Sequence, residues 1–424
     1  MSKVTYTDSR PIILTLGTAI VFGGLLLIFK NPQIGVLIDW IRAGNHFNEG
    51  VVLALQRKHE DAIRAYDQAI AINPEFARAY YKRGRAHYVL NNYQEALKNL
   101  DKALDLEPRY DNDSEFYSYR GQINYYLNQY EAALQDCSYS AQLDRLRDTS
   151  YNCLGNSLSQ LDKYKEAIEN YTKAININDQ NHWYYANRGN SFYRLAEYQK
   201  AVEDYTSAIN LNPDNTDHFR KRGDSYFYLG NYQKAISDYT KFLHENNENL
   251  SVYNQRGIAY SNLGDYRAAI ENFNHVLDQS SFSGIGITFE YSEKDKVFKI
   301  TNVIEESPAS KMRLRKDDQI QFVDSKVISD MDISDVAELI KGEADSQVVL
   351  TILRQDKRED VTVTRKKVIN PEFAQTYYDR GKAHYELGDT KAALKDLELA
   401  LELFLKAGEI EKRQEVEQTI ESIR

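Results

Sequence analysis

Glycine recurs through this chain at Gly50, Gly84, Gly121, Gly155, Gly189, Gly223 and Gly257, in steps of 34 residues except for one of 37 between Gly84 and Gly121. Twelve residues after each glycine stands an alanine: Ala62, Ala96, Ala133, Ala167, Ala201, Ala235 and Ala269. Tyrosine usually precedes that alanine by three, as in NNYQEAL and DKYKEAI, and the unit closes on INP, LNP or LEP at Pro74, Pro213 and Pro108. Two antiparallel helices approach closely only where a side chain is missing, so each glycine is expected to face its alanine across a helix pair. Proline then stops the second helix before the next unit begins. Such a pair leaves an apolar face that only the next pair covers, which predicts a mainly α solenoid.

These residues resemble the tetratricopeptide repeat (TPR): glycine at its eighth position, alanine at the twentieth, often alanine again at the twenty-seventh (Ala69, Ala103, Ala174, Ala208) and proline at the thirty-second. The resemblance covers residues 41–279 and returns at 371–405. Less regular packing is expected at three extra residues around RYDNDSEF and where Ser140, Phe242 and Val276 replace the second alanine.

After Gly257 the next repeat glycine is Gly381, with its alanine at Ala393, and this gap of 124 residues exceeds one repeat by 90. INPEFAQTYYDRGKAHYEL, from Ile369, mirrors INPEFARAYYKRGRAHYVL, from Ile72, so the helical register restarts at its usual boundary. A block can enter there without breaking the solenoid only if its two ends lie close together. The block alternates in short runs, ITFEY, KVFKITNVI, QIQFVD, QVVLTILR and DVTVTRKKV, with helix-like SPASKM and DISDVAELIKG between them.

That order, with SFSGIG ahead of the first strand and SPA before DDQIQFVDSKVI, resembles a PDZ domain of the kind carried by carboxy-terminal processing proteases. The resemblance implies a carboxylate-binding loop at Gly284, Ile285, Gly286 and Ile287, a strand edge continuing through Thr288 and Phe289, and a flanking helix with Ile333, Val336, Ala337 and Ile340 as its apolar positions. A peptide would add a strand along that edge, held by main-chain hydrogen bonds and selected by side-chain pockets. The flanking helix lacks histidine, so the family pattern implies an apolar peptide tail. Arg313, Asp317 and Ser325 stand where the family generally has glycine, so altered turns are expected there.

A second surface is implied by the repeats, whose first helices line a concave groove. Asn152, Asn156, Asn190 and Arg220 fall where some family members hold a peptide carboxylate, with Asp224 in place of a further basic residue, and Trp183, Tyr193 and Tyr88 are placed on or near the same face.

The remaining features narrow the function class. A net charge of −10 argues against a nucleic-acid partner, since phosphate recognition needs a basic surface. No P-loop, GxSxG or HExxH motif occurs; the serine-lysine dyad of the processing proteases is missing as the chain returns to a helical repeat and runs to Arg424; and no histidine has a second ligand at i+4. A non-enzyme without cofactor or metal is expected. Cys137 and Cys153 are too few for a disulfide framework and read first as small core thiols, with one disulfide as the alternative. Residues 12–29 carry no charge and would reach about 27 Å as a helix, which predicts a single-pass membrane anchor. The flanking charges give no orientation, and the resemblance to extracytoplasmic processing proteases implies a soluble part outside the cytoplasm.

The expected order is therefore an N-terminal flank (1–11), an anchor (12–29), seven repeats (41–280), a β-rich PDZ-like domain (281–368), an eighth repeat (369–405) and a capping helix (406–424). The function this implies is a membrane-anchored scaffold for proteins or peptides. The alternatives are an adaptor delivering substrates to a separate processing protease, and an assembly factor in which the PDZ fold is only a spacer.

Overall fold

The structure, a computed structural model, describes residues 32–292, 296–369 and 371–424. It divides into two compact units, one ending at Ser191 and one starting at Phe192. The first holds α1 (Pro32–Leu55), α2 (His59–Ile72), α3 (Ala77–Val89), α4 (Tyr93–Leu106), α5 (Ser114–Tyr126), α6 (Tyr130–Leu143), α7 (Asp148–Gln160), α8 (Tyr164–Ile177) and most of α9 (His182–Arg194). A 3₁₀ turn at Pro108–Asn112 takes up the extra residues before α5. The second unit continues with α10 (Tyr198–Leu211), α11 (Thr216–Tyr228), α12 (Tyr232–Glu245), α13 (Leu250–Asn262) and α14 (Tyr266–Ser280). It closes with α17 (Ala374–Glu386), α18 (Thr390–Ala407) and α19 (Ile410–Ile423).

Each first helix ends the same way. The residue seven after the repeat glycine takes a left-handed conformation, whether it is Gly230, Gly264 and Gly388 or Asn91, Asn128 and Asp162. The N–H that follows then returns to a carbonyl of the last helical turn, as from Asn92 to His87 O (2.9 Å) and Asn231 to Tyr226 O (2.9 Å), which satisfies carbonyls otherwise left unpaired.

The repeat glycines do create close helix contacts, but their main neighbour differs from the expected one. A methyl group at Gly155 would come within 2.5 Å of the Tyr171 ring, at Gly257 within 2.7 Å of Phe273, and at Gly223 within 2.8 Å of Tyr239. Each neighbour lies sixteen residues after the glycine, and the alanine at twelve contributes its backbone carbonyl, 3.4 Å away at Gly223. The glycine therefore opens a slot for a large side chain, and the alanine lets the second helix sit close enough to fill it.

An arginine directly before the glycine holds successive pairs together. Within the first unit, Arg120 makes two hydrogen bonds to the buried carboxylate of Asp136 (2.7 and 2.9 Å) and reaches back to Asp101 on the preceding pair (3.3 Å). Within the second, Arg222 grips Asp238 (2.7 and 2.9 Å) and Thr206 (3.1 Å), while Arg256 joins Asn272 (2.8 Å) to Thr240 (3.1 Å). Ionised, two-pronged bonds of this kind are stronger and more directional than neutral ones.

The inserted block leaves this scheme intact. Its entry strand β1 (Ser281–Gly284) pairs antiparallel with its exit strand β8 (Lys366–Ile369), so the two ends leave side by side. Across the insertion Arg380 holds Asp396 (2.7 and 2.7 Å) and reaches back to Asn274 (2.6 Å), while Thr376 bonds Asn254 (3.0 Å). α17 thus stacks on α13 and α14 as though nothing intervened. Between the paired ends lie β2 (Ile287–Ser292), β3 (Val297–Val303), α15 (Pro308–Lys311), β4 (Gln319–Val323), β5 (Lys326–Val327), α16 (Ile333–Ile340), β6 (Gln347–Arg354) and β7 (Lys357–Thr364). The sheet order is β2-β3-β4-β6-β7, with β5 paired to β4, around a core that includes Phe298, Ile300, Ile320, Leu350 and Ile352.

Two expectations are corrected. Among the described residues no helix is long and apolar enough to cross a membrane, so neither the single-pass anchoring nor the extracytoplasmic placement stands; residues 12–29, on which the anchor rested, lie outside the described residues. Cys137 and Cys153 are not separate thiols: they form a disulfide between α6 and α7, with Cα atoms 6.0 Å apart. Cys137 occupies the slot opposite Gly121 that Tyr171 fills opposite Gly155.

Candidate functional site

In the sheet domain, β2 is an edge strand, hydrogen-bonded to β3 on one side and to no strand on the other among the described residues. The loop before it is pinned through its carbonyls. Ile285 O accepts from Ala309 N–H (2.8 Å) and Gly286 O from Ile304 N–H (2.9 Å). Gly286 has φ +81°, and a side chain there would run into Ser307, whose hydroxyl would lie 2.8 Å from the added carbon; glycine suits both constraints. No backbone carbonyl among the described residues accepts from the N–H of Ile285 or Gly286. A loop whose carbonyls are tied down and whose N–H groups are unused can receive an anion.

The side chains expected around this loop divide between core and surface. Ile285 (1% exposed), Ile287, Val336 and Ile340 belong to one buried cluster, with Phe289 packed against it. Thr288 is exposed and its hydroxyl meets that of Thr301 (2.8 Å). The exposed apolar side chain of α16 is Ile333, at 49%. Arg365, nine-tenths buried, donates to Leu339 O and Ile340 O (both 2.9 Å) and so caps the C-terminus of this helix.

Arg313, Asp317 and Ser325 keep left-handed backbones, with φ of 60°, 70° and 66°, despite their side chains. Neighbouring bonds enforce this: Arg313 O accepts from Arg354 (3.0 Å) and Asp317 N–H donates to Ile300 O (2.8 Å). Arg354 is itself fixed by the buried Asp318 (2.6 and 2.7 Å). Arg313→Gly is expected to stabilise this domain by about 1 kcal/mol by removing the left-handed cost, read as a rise in its denaturant midpoint. An unchanged or lower midpoint would show the turn to be unstrained.

In the repeat groove of the first unit, Asn187 donates to Asn152 (3.2 Å) and Asn156 (3.1 Å), and Asn156 also accepts from the Tyr171 hydroxyl (2.8 Å). The side-chain oxygens of Asn152 and Asn156 are thus already engaged within the groove. Tyr88 packs against Tyr93, Tyr119 and Tyr126, and Trp183 is 51% exposed beside His182. Asn190, on α9, is partly buried.

In the second unit, Tyr193, Arg220, Asp224, Tyr228 and Tyr239 line a cavity of about 220 Å³. Arg220 is held by Asp217 (2.7 Å) and Asp224 (3.2 Å), and Asp224 also accepts from the Tyr239 hydroxyl (2.9 Å). Burial works against the Arg220 charge, but Asp217 and Asp224 outweigh it and hold its pKa above the ordinary value. Burial pushes the Asp224 carboxyl up, against the pull of Tyr239 and Arg220. An arginine already shared by two carboxylates is less free to receive a third.

Sequence reasoning missed the arginine before the repeat glycine, although RG occurs at Arg83, Arg120, Arg188, Arg222, Arg256 and Arg380, with Asp or Asn sixteen residues on. It also missed Asp379, on α17, a carboxylate that lines a cavity in the second unit.

Models described as TPR or tetratricopeptide repeat match residues 50–91, 77–110, 155–196, 182–215, 220–246, 250–281 and 374–406, and a PDZ domain model matches 283–364. Over 84 residues the chain is 31% identical to a probable CtpA-like serine protease of Staphylococcus haemolyticus (strain JCSC1435) and 29% identical to one of Staphylococcus aureus (strain COL). Each match covers 20% of this chain and 17% of the relative's length. Among solved structures, MamA 41-end from Desulfovibrio magneticus RS-1 aligns with TM-score 0.38 and 21% identity over 41% of this chain and 97% of that one. PilF of Pseudomonas aeruginosa aligns with TM-score 0.42 and 18% identity over 49% and 92%.

Proposed function

The chain is a tetratricopeptide-repeat protein with an inserted PDZ domain, and from that premise we propose that it is a non-catalytic scaffold holding partner polypeptides at two kinds of site. One is the groove lined by the first helices of the repeats. The other is the β2 edge, where a partner's C-terminal residues add a strand and the terminal carboxylate meets the N–H groups of Ile285 and Gly286. The observation that carries this reading is the loop itself: pinned carbonyls and unused N–H groups sit at the end of a strand with a free edge. The affinity of such a site resides in main-chain bonds, so the buried Ile285, Val336 and Ile340 serve by shaping the loop and the helix beside it.

The likeness of residues 283–364 to a module found within serine proteases favours one further reading, in which the scaffold presents bound C-termini to a separate protease. Both readings share the same test. Peptides ending in apolar residues would be titrated against the full chain as free acids and as C-terminal amides. The acids are expected to bind at least tenfold more tightly, because an amide removes the charge and one acceptor from the loop. Equal binding of acid and amide, or no binding by any member of a diverse set, would sink the carboxylate role. Faster cleavage of a bound peptide by an added processing protease separates the adaptor from the scaffold.

A further inference from the structure

Where α13, α14, α17 and α19 meet, the second unit holds a cavity of about 410 Å³ that none of the sites above uses. Its walls carry Tyr266, Phe273 and Tyr385, with Ile258 and Ile423. Two of its polar groups are under-satisfied. The Asp379 carboxylate accepts one bond, from Gln375 Nε2 (3.1 Å), and no lysine or arginine among the described residues pairs with it. Its cationic neighbours are engaged elsewhere: Lys382 lies over the Tyr378 ring and Lys412 pairs with Glu409 (2.8 Å). The Ser261 hydroxyl, on the same cavity, is shut off from solvent and has no hydrogen-bond partner.

We propose that this cavity receives an arginine side chain from a partner polypeptide lying along the repeat groove. The inference rests on the groove reading above and names what that part of the groove selects. An arginine side chain supplies what the cavity lacks: a delocalised positive charge and paired donors for the Asp379 carboxylate, and a flat face to lie against tyrosine rings. Lysine offers a compact charge that stacks less well, an apolar side chain brings no donor to Asp379, and an acidic one is repelled by its charge. The volume falls within the range of small-ligand sites, about 300–1,000 Å³.

Burial pushes the Asp379 carboxyl up to about 6, with the Gln375 bond and Lys382 pulling it down and Glu415 adding to the rise. The charged and titratable groups around it are Lys382, Tyr385 and Glu386 from α17, Lys412 and Glu415 from α19, and Tyr266 from α14; the lining residues of α13, Ile258, Ser261 and Asn262, are uncharged. Arginine binding should therefore weaken as pH falls through about 6, where Asp379 loses its charge. The sign for stability is opposite to that of an ordinary salt-bridged carboxylate. The folded state favours the protonated form, so ionisation of Asp379 above its unfolded value disfavours folding. Asp379→Asn is accordingly expected to melt no lower than the unaltered chain at neutral pH.

The test uses the full chain and three small probes, N-acetyl-arginine amide, N-acetyl-citrulline amide and N-acetyl-lysine amide, followed by ligand-detected NMR. Citrulline keeps the shape of arginine and removes its charge. The arginine probe is expected to bind at millimolar concentration, the citrulline probe at least fivefold more weakly and the lysine probe in between. Asp379→Asn should reduce arginine to the level of citrulline. Equal binding of arginine and citrulline, lysine binding as well as arginine, no arginine binding at all, or an Asp379→Asn chain that binds arginine unchanged would each overturn the proposal. If Asp379→Asn does not fold, the arginine–citrulline comparison on the unaltered chain decides alone. A chain that binds longer peptides while ignoring the arginine–citrulline exchange would refute the pocket and leave the scaffold standing.

Discussion

Arg380→Ala is expected to destabilise the second unit by about 3–5 kcal/mol, because it strands the Asp396 carboxylate, 4% exposed, without the two-pronged partner that offsets its burial. The same change cuts the bond to Asn274, which ties α17 to the pair before the insertion. Equilibrium urea unfolding would show the loss, and hydrogen exchange should place it at α14, α17 and α18. The double variant Arg380→Leu/Asp396→Leu tests the cause, since replacing both members with apolar groups removes the stranded charge and should recover much of the loss. If Arg380→Ala costs less than about 1 kcal/mol, the arginine is a surface decoration and the account of how the repeats survive the insertion fails.

The second large effect is expected where this arginine is missing. In the fourth repeat the residue before Gly155 is Leu154, although Asn170 stands sixteen residues later, where Asn99 and Asn272 receive an arginine in their own pairs. At this junction, and at no other among the described residues, a disulfide joins the second helix of one pair to the first helix of the next. A covalent link closing a loop of this length is worth about 3 kcal/mol in the chain-entropy account. Cys137→Ala/Cys153→Ala should lower the stability of the first unit by about that much. In a stack of repeats the loss should concentrate at α6 and α7, because each pair draws its stability from its neighbours. Treatment with a dithiol reductant after partial unfolding should reproduce it. Protection at α6 and α7 that is unchanged in the double variant would show that packing alone holds this junction.

The helix pairs, the inserted domain and the closeness of its ends could all be read along the chain. Helices have a fixed rise, so residues 34 apart in one pair and its successor occupy equivalent places, and a missing side chain recurring at that distance reveals stacking. The resemblance also placed the GIGI loop ahead of its strand, and β1 and β8 do leave side by side. The glycine contact was misassigned because spacing alone does not say whether the side chain at twelve or at sixteen points into the slot; that depends on how the second helix is rotated about its axis. For the same reason the apolar positions of the eight-residue α16 gave no means of telling that Val336 and Ile340 turn inward while Ile333 turns out.

The order of the modules, the repeating helix pair and the glycines that let helices touch were determined by the amino-acid sequence itself, because each depends on neighbours a fixed number of residues away. The tertiary structure alone decided which arginine meets which carboxylate, that two cysteines on successive pairs meet, and that Asp379 and Ser261 share a cavity with α19. Those contacts join residues from different helices, and whether a polar group ends up paired or left wanting depends on how closely those helices approach, which spacing along the chain does not encode.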